Sequence, residues 1–299
     1  MELDKIITGD SAVVLQSFPP DCIDLTVTSP PYDNLRTYNG FTFDFETIAK
    51  ELFRVTKAGG VVVWVVGDAT IKGSETGTSF RQALYFMQCG FNLHDTMIYK
   101  KNSLAYPTFD KYYPCFEYMF VFSKGKPVSI NLIADRANKQ AGKKITGNER
   151  GVNGSLKEMS GSKNKRSIKE TGIRFNIWEY NTGWQHSYTE EFLRGHPAIF
   201  PEALAQDHIL SWSNEGDIVL DCFSGSGTTP KMAKLLNRHY IGIDTSAEYV
   251  AIANERLAQV ERGLTQRAPD LWDSAPLQSL STPEADTPAG HLSTPPTSG

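Results

Sequence analysis

The run Val61 to Val66 is six consecutive apolar residues, Val-Val-Val-Trp-Val-Val. A strand with one wet face alternates apolar and polar residues. A continuous run of this length is what a strand buried on both faces of a parallel sheet requires, with helices above and below it. It falls far short of the roughly 20 residues that a membrane helix needs. The surrounding sequence supplies the other elements. Cys22 to Thr28 reads as a second buried strand, stopped by Pro30-Pro31. Asp44 to Lys57 has helical spacing at Phe45, Ile48, Ala49, Leu52, Phe53 and Val55 and is expected to end at Gly59-Gly60. Ile6-Ile7 is a short strand, Ser79 to Cys89 a helix, and Phe91 to Tyr99 and Cys115 to Ser123 are two further strands. Strands alternating with helices predict a doubly wound, mostly parallel α/β sheet.

The chain has 299 residues, 40% hydrophobic and 21% charged, enough for a sizeable core and unlike a wholly disordered or collagen-like chain. Its start, Met1-Glu2-Leu3-Asp4-Lys5, lacks the apolar stretch of a signal peptide, so the expected location is the cytoplasm, away from any membrane. Four cysteines stand at 22, 89, 115 and 222 without a CxxC pair or a Cys/His cluster, so neither a disulfide framework nor a metal is expected.

The regular alternation fails between about 124 and 195, where Gly, Asn, Ser and Lys dominate. From Asn138 to Arg174 there are ten basic residues against three acids. That balance of +7 leaves −11 for the rest of a chain whose total is −4. Such an insert is either a solvated lysine-rich loop or a polyanion-binding device, flexible or folded upon a partner. Alternation then resumes with helices at Pro201 to Trp212, Thr228 to Leu236 and Ser246 to Val260, and strands at Ile218 to Cys222 and Tyr240 to Ile243. The expected parts are 1–123, the basic insert 124–195, a second α/β part 196–262, and a disordered Pro-, Ser- and Thr-rich tail 263–299.

Two motifs carry the chemistry. Asp221-Cys222-Phe223-Ser224-Gly225-Ser226-Gly227-Thr228-Thr229 follows a strand and opens a helix. Its glycines allow close approach of a ligand, and a helix N-terminus offers N–H groups. One helix later, Asp244 ends a strand where an acid accepts from ribose hydroxyls. The plain alternative is a tight strand-to-helix turn. No Gly-Lys-Ser/Thr follows, so a P-loop is excluded. The second motif, Ser29-Pro30-Pro31-Tyr32, sits at a strand's carboxyl end. Its prolines hold the backbone extended, so that a hydroxyl and a carbonyl can face one amine beside an aromatic ring. Here the alternative is a Pro-Pro strand terminator with a core tyrosine.

These residues, with Ile7-Thr8-Gly9-Asp10, Tyr112-Tyr113-Pro114, Glu117-Tyr118 and His196-Pro197-Ala198-Ile199-Phe200-Pro201 in that order, resemble the beta class of amino DNA methyltransferases over about residues 4–260. The resemblance implies a methyltransferase sheet that is circularly permuted, with the catalytic half ahead of the cofactor half. It implies S-adenosyl-L-methionine as cofactor, held by Asp10, Asp221, Phe223, Gly225, Gly227, Thr228, Thr229 and Asp244. Asp10 would approach the adenine, and His196 to Pro201 would close over the methionine end. Ser29, Pro30, Pro31 and Tyr32 would carry catalysis on a flipped-out base. Ser at position 29 accompanies N4 methylation of cytosine, whereas Asp or Asn accompanies N6 methylation of adenine. The insert would recognise double-stranded DNA through Lys163, Lys165, Arg166, Asn176, Trp178 and Trp184, with Asn181 and Gln185 beside them.

A cognate restriction endonuclease is the further partner such an enzyme can have, and either a monomer or a homodimer is compatible. A remote alternative is a non-catalytic DNA-binding protein on the same fold. Pro114-Cys115 has the look of the carbon-5 cytosine nucleophile, but Cys115 starts an apolar strand and lacks a Glu-Asn-Val partner, so it reads as an ordinary buried cysteine.

Overall fold

The computed structural model of the chain describes residues 1–31, 43–102, 111–182 and 201–260. Met1–Gly263 forms one compact unit, so the parts separated in the sequence at 123 and 195 pack into a single body there. The tail expected at 263–299 lies outside the described residues.

The centre is an eight-stranded sheet. Its strands are β1 (Lys5–Thr8), β2 (Ile23–Thr28), β3 (Thr56–Val66), β4 (Asn92–Lys101), β5 (Phe116–Ser123), β6 (Ile177–Tyr180), β7 (Ile218–Asp221) and β8 (His239–Asp244). They lie in the order β1-β8-β7-β2-β3-β5-β4-β6, with β5 antiparallel to both its neighbours and every other pairing parallel. The helices are α1 (Phe45–Val55), α2 (Thr78–Gln88), α3 (Glu202–Trp212), α4 (Thr228–Leu235) and α5 (Ala247–Ala258).

The valine run behaves as its sequence requires. Val61, Val63 and Val65 face one layer, with Leu204, Ala205 and Ile209 of α3, Met232 of α4 and Leu257 of α5. Val62, Trp64 and Val66 face the other, with Ile48, Ala49, Leu52 and Val55 of α1 and Phe86 of α2. The period of two sends alternate side chains to opposite faces, and both faces are covered. At about 25 cal/mol per Å² of apolar surface, burial on two sides is the main driving force for this arrangement.

One boundary differs from expectation. The first long helix ends at Val55, and β3 begins at once at Thr56, ahead of Gly59-Gly60. Thr56 pairs with Ile23 in the sheet, and its hydroxyl donates to Leu52 O (2.5 Å). That bond satisfies a helix-end carbonyl while the β-branched residue turns into the strand.

The insert also differs. It is folded on itself through short antiparallel pairings: Arg136–Ala137 with Thr171–Gly172, Asn148–Arg150 with Leu156–Glu158, and a bridge between Lys144 and Ser167. Its last segment becomes β6, at the edge of the main sheet. The pairing of Arg136–Ala137 with Thr171–Gly172 and the Lys144–Ser167 bridge join residues far apart in sequence, which no local periodicity reveals.

The chain leaves β2 through α1 on one face of the sheet and leaves β7 through α4 on the other. The strand order therefore reverses between β7 and β2, which are neighbours. In an open α/β sheet, the crevice beyond the carboxyl ends at such a point is where ligands bind.

Candidate active site at the carboxyl edge of the sheet

Four strand ends meet at this edge. Thr8 of β1 is in register with Asp244 of β8, and Gly9 N donates to Asp244 O (2.9 Å). Asp10 follows. Its Oδ1 accepts from Ala12 N (2.8 Å), capping a short helical turn, Ser11–Val14. The Ser11 hydroxyl donates to Cys222 O, tying that turn to the end of β7. Asp10, Asp221 and Asp244, far apart in sequence, are thus brought to one edge by adjacent parallel strands.

The glycine turn is built from satisfied backbone. Ser224 N donates to Ile243 O (2.9 Å) and Gly227 N to Ser224 O (2.8 Å). Gly225 N donates to Asp244 Oδ2 (2.8 Å), whose Oδ1 accepts from Ser246 N (2.9 Å). Gly227 has φ +80°, and a Cβ there would lie 2.8 Å from the Ala253 Cβ. Both the left-handed backbone and the packing of α5 therefore demand glycine. No side chain caps the N-terminus of α4, which opens directly from this turn.

Asp221 is 1% exposed. It accepts from the Thr28 hydroxyl (2.7 Å) and from Phe223 N (3.1 Å) through Oδ1. Burial pushes its carboxyl up to about 6, and the Asp244 charge adds to that, against the hydrogen bonds from Thr28, Phe223 and Thr229. Burial also raises Asp244, against the N–H groups of Ser246 and Gly225.

Thr229 Oγ1 donates to Val27 O (3.2 Å), and Thr228 Oγ1 accepts from Arg256 Nη1 (3.2 Å). The buried side chains of Asp221, Thr228 and Thr229 also hold the turn against β2 and α5. Phe223 is half-buried, its ring edge-on to Phe43 (5.1 Å between centroids) and to Trp64 (6.0 Å).

Ser29 follows Thr28 directly and is half-buried, with Pro30 buried behind it and Pro31 half-buried. Because Thr28 is bonded to Asp221, the hydroxyl-bearing end of β2 is fastened to the start of the glycine turn. Tyr32, His196 to Phe200, Trp184 and Gln185 lie outside the described residues.

In the insert, Lys163, Lys165 and Arg166 are exposed, as are Lys139, Lys143, Lys144, Arg150, Lys157 and Lys169. Arg174 is not part of that surface. It binds Asp135 and Asp207 (2.5 Å to each) and lies 5.6 Å over the Trp178 ring. Tyr180 joins the cluster by donating to Asp207 (2.6 Å). Trp178, expected to read DNA, is 8% exposed and stacks at 34° on the buried His208 ring, 4.7 Å away. It sits on a sheet strand, and its side chain points into the core. Asn176 is exposed but donates to Thr96 O (3.1 Å), and Asn181 accepts from Asn102 (2.8 Å). Both steady the sheet edge. His208 is fully buried, and burial holds its imidazole down to about 3, so it is neutral.

The sequence reading missed Glu202, Arg256 and Lys231. Arg256 is 1% exposed and reaches Ser226 O (2.9 Å) and Glu202, while Lys231 binds Glu202 at 2.6 Å. The signal available was a charged residue at an apolar-facing helix position, Arg256 beside Leu257 in α5.

The residues fit a nucleoside-containing, cationic group. The turn is kept narrow by glycine, α4 begins directly after it, and Asp10 and Asp244 supply acceptors for hydroxyl and amine groups. Among the described residues, no group of His, Cys, Asp and Glu could hold a metal ion.

Comparison with known proteins agrees with this geometry. The family model described as DNA methylase matches residues 23–255. The orphan methyltransferase M.BamHII of Bacillus amyloliquefaciens is 63% identical over 243 residues, covering 79% of this chain and 89% of that protein. Among solved structures, the protein TTHA0409 of Thermus thermophilus complexed with S-adenosyl-L-methionine superposes with a TM-score of 0.58 at 24% identity, covering 85% of this chain and 93% of that one. The cytosine-N4-specific PvuII DNA methyltransferase superposes with a TM-score of 0.62 at 21% identity, covering 87% of each chain. With the family model spanning most of the sheet and the site, the chain belongs to the DNA methylase family, the beta-class amino DNA methyltransferases.

Proposed function

We propose that this chain transfers a methyl group from S-adenosyl-L-methionine to the exocyclic N4 amine of a cytosine flipped out of double-stranded DNA. The observation that carries the reading is the fastening of Thr28 to Asp221 (2.7 Å). It sets Ser29 beside the glycine turn across two neighbouring strands, so acceptor chemistry and cofactor cradle share one crevice.

The amine of cytosine is a poor nucleophile because its lone pair is delocalised into the ring. Ser29 Oγ and the Pro30 carbonyl accept its two hydrogens, which favours a pyramidal nitrogen with an available lone pair. The bound sulfonium would supply an already activated methyl and leave as a neutral thioether, and the methylated nitrogen would release one proton to solvent, so positioning provides most of the remaining rate. Asp244 and Asp10 receive the hydroxyls and amine of the nucleoside. Tyr32 stacks on the extruded base and offsets part of an unstacking penalty of a few kcal/mol. Serine at position 29 favours cytosine over adenine.

The exposed lysines and arginines of the insert neutralise DNA phosphates that the acidic body would repel. The name of the Bacillus amyloliquefaciens relative, an orphan methyltransferase, supports action without a paired restriction endonuclease. Among the described residues, no helix is long and apolar enough to cross a membrane, which fits an enzyme working on DNA in the cytoplasm.

Mass analysis of nucleosides from the DNA of an expressing host tests the reading. N4-methylcytosine is the expected product. N6-methyladenine would move the target base while keeping the enzyme class, and DNA without either would overturn the assignment.

A further inference from the structure

Two glycines with positive φ, Gly225 at +49° and Gly227 at +80°, bracket Ser226 in the cofactor turn. Glycine gives this segment its shape at the expense of rigidity, because it has more conformations to lose than any other residue. Something else must hold the turn in place. Its Ser226 carbonyl points away from the crevice into the protein, where a buried backbone oxygen needs a donor.

The donor is Arg256 on α5. Its guanidinium is buried, with Nη1 on Ser226 O (2.9 Å), Thr228 Oγ1 (3.2 Å) and Ser226 Oγ (3.4 Å), and Nη2 on Glu202 Oε1. The carbonyl of Ser226 and the N–H of Gly227 belong to one planar peptide unit and point in opposite directions. Fixing the oxygen inward therefore fixes that N–H, which closes the turn onto Ser224 O (2.8 Å). A planar fork can hold two partners at once, which an ammonium on a flexible stem does less well.

A buried cation needs a counter-charge. Glu202, the first residue of α3 and 8% exposed, supplies it and also takes Lys231 of α4 at 2.6 Å. One carboxylate thereby gathers three helices behind the turn. None of these side chains is among those that the sequence marks for cofactor contact.

We propose that Arg256 and Glu202 are a positioning pair for the cofactor turn, holding its backbone in the form that receives S-adenosyl-L-methionine. This rests on the reading that the cofactor binds at residues 221–229.

The test compares the full-length protein with Arg256→Met, Arg256→Lys and Glu202→Gln. It measures cofactor dissociation constants by calorimetry, hydrogen exchange over residues 222–229, and KM for DNA. Arg256→Met should weaken cofactor binding about tenfold or more, the equivalent of one charge-assisted hydrogen bond. It should speed exchange in the turn while β2 and β3 stay protected and KM for DNA stays unchanged. Arg256→Lys should recover part of the affinity. Glu202→Gln keeps an acceptor oxygen but loses the charge, and should weaken binding by roughly threefold to tenfold. It serves in place of Arg256→Met if that variant does not fold. A folded Arg256→Met or Glu202→Gln protein that melts at lower temperature but binds cofactor as the parent does would reduce the pair to a structural ion pair and overturn the proposal. Absence of cofactor binding by the unaltered chain would instead overturn the site reading, and is seen before any variant is made.

Discussion

The glycine turn at Asp221–Thr229 and the insert around Arg136–Gly172 are both rich in Gly, Ser and Thr, and both place glycines at positive φ. Their surroundings are opposite. A Cβ at Gly227 would strike Ala253 at 2.8 Å, whereas a Cβ at Gly142 or Gly154 meets nothing within 4 Å. In the turn, glycine serves backbone conformation and close packing together, and buried groups such as Asp221, Arg256 and Thr229 supply the partners. At Gly142 and Gly154 of the insert it serves conformation alone, between short pairings that carry exposed lysine and arginine. The first region is a preformed cradle held from behind. The second is a charged surface whose order rests on backbone ladders and on its root, where Arg174, Asp135, Asp207, Tyr180 and Trp178 fasten it to α3.

The largest effect should come from that root. Trp178→Ala should lower stability by about 3–5 kcal/mol, as large aromatic truncations in cores do, read by chemical denaturation. Among the described residues the buried indole Nε1 has no hydrogen-bond partner, so Trp178→Phe should lose far less. If Trp178→Ala left stability intact and altered DNA sequence preference, Trp178 would belong to the reading surface and the contrast would fail.

Next is the carboxyl end of β2, which carries the proposed catalytic Ser29. Ser29→Ala should lower methyl transfer by roughly 10²–10³, the scale for loss of one preorganised transition-state hydrogen-bonding group. Calorimetric cofactor affinity should stay at the parent value, because the turn is held by other residues. Equal loss of both would place Ser29 in the cradle.

A smaller effect concerns pH. Asp221 has a carboxyl raised to about 6 by burial, so it holds its proton more tightly folded than unfolded. Stability is lost as pH rises from the ordinary carboxylate range through about 6. Asp221→Asn keeps an acceptor for Thr28 and should remove that loss, read as a melting-temperature difference from the parent that shifts in the variant's favour as pH rises across this window. His208 has the opposite sign. Its depressed imidazole gives stability that is lost as pH falls below the usual histidine value toward about 3, a window that overlaps that of Asp221, so the comparison is made between parent and variant at each pH, where the His208 contribution cancels.

The smallest effect on the fold should come from the exposed cations. Replacing Lys163, Lys165 and Arg166 together by Ala should leave the melting temperature nearly unchanged. The log–log salt slope of DNA binding should fall by roughly 2–3 units, similarly for all sequences. An unchanged slope would take these residues out of the interface.

Much of this protein is set by local pattern. The valine run, the helical spacing over Asp44 to Lys57, the caps at Asp44 and Ser246 (which accept from Thr47 N and Tyr249 N), and the strand-turn-helix at Asp221 all act over a few residues. Their physics is legible without knowing what they touch. The motif order was enough to suggest the family and to place Ser29 and Asp244 at strand ends. Tertiary structure decided what depends on distant partners. It put Trp178 in the core, because β6 joins the sheet edge beside β4. It gave Arg174 to two carboxylates, and it closed the insert by pairing Arg136–Ala137 with the distant Thr171–Gly172. It also gave Asp221, Thr228 and Thr229 their buried partners and brought Arg256 beneath a loop 30 residues away. Burial and hydrogen-bond partnership are properties of neighbours in space, and neighbours far apart in sequence are chosen only when the whole sheet closes.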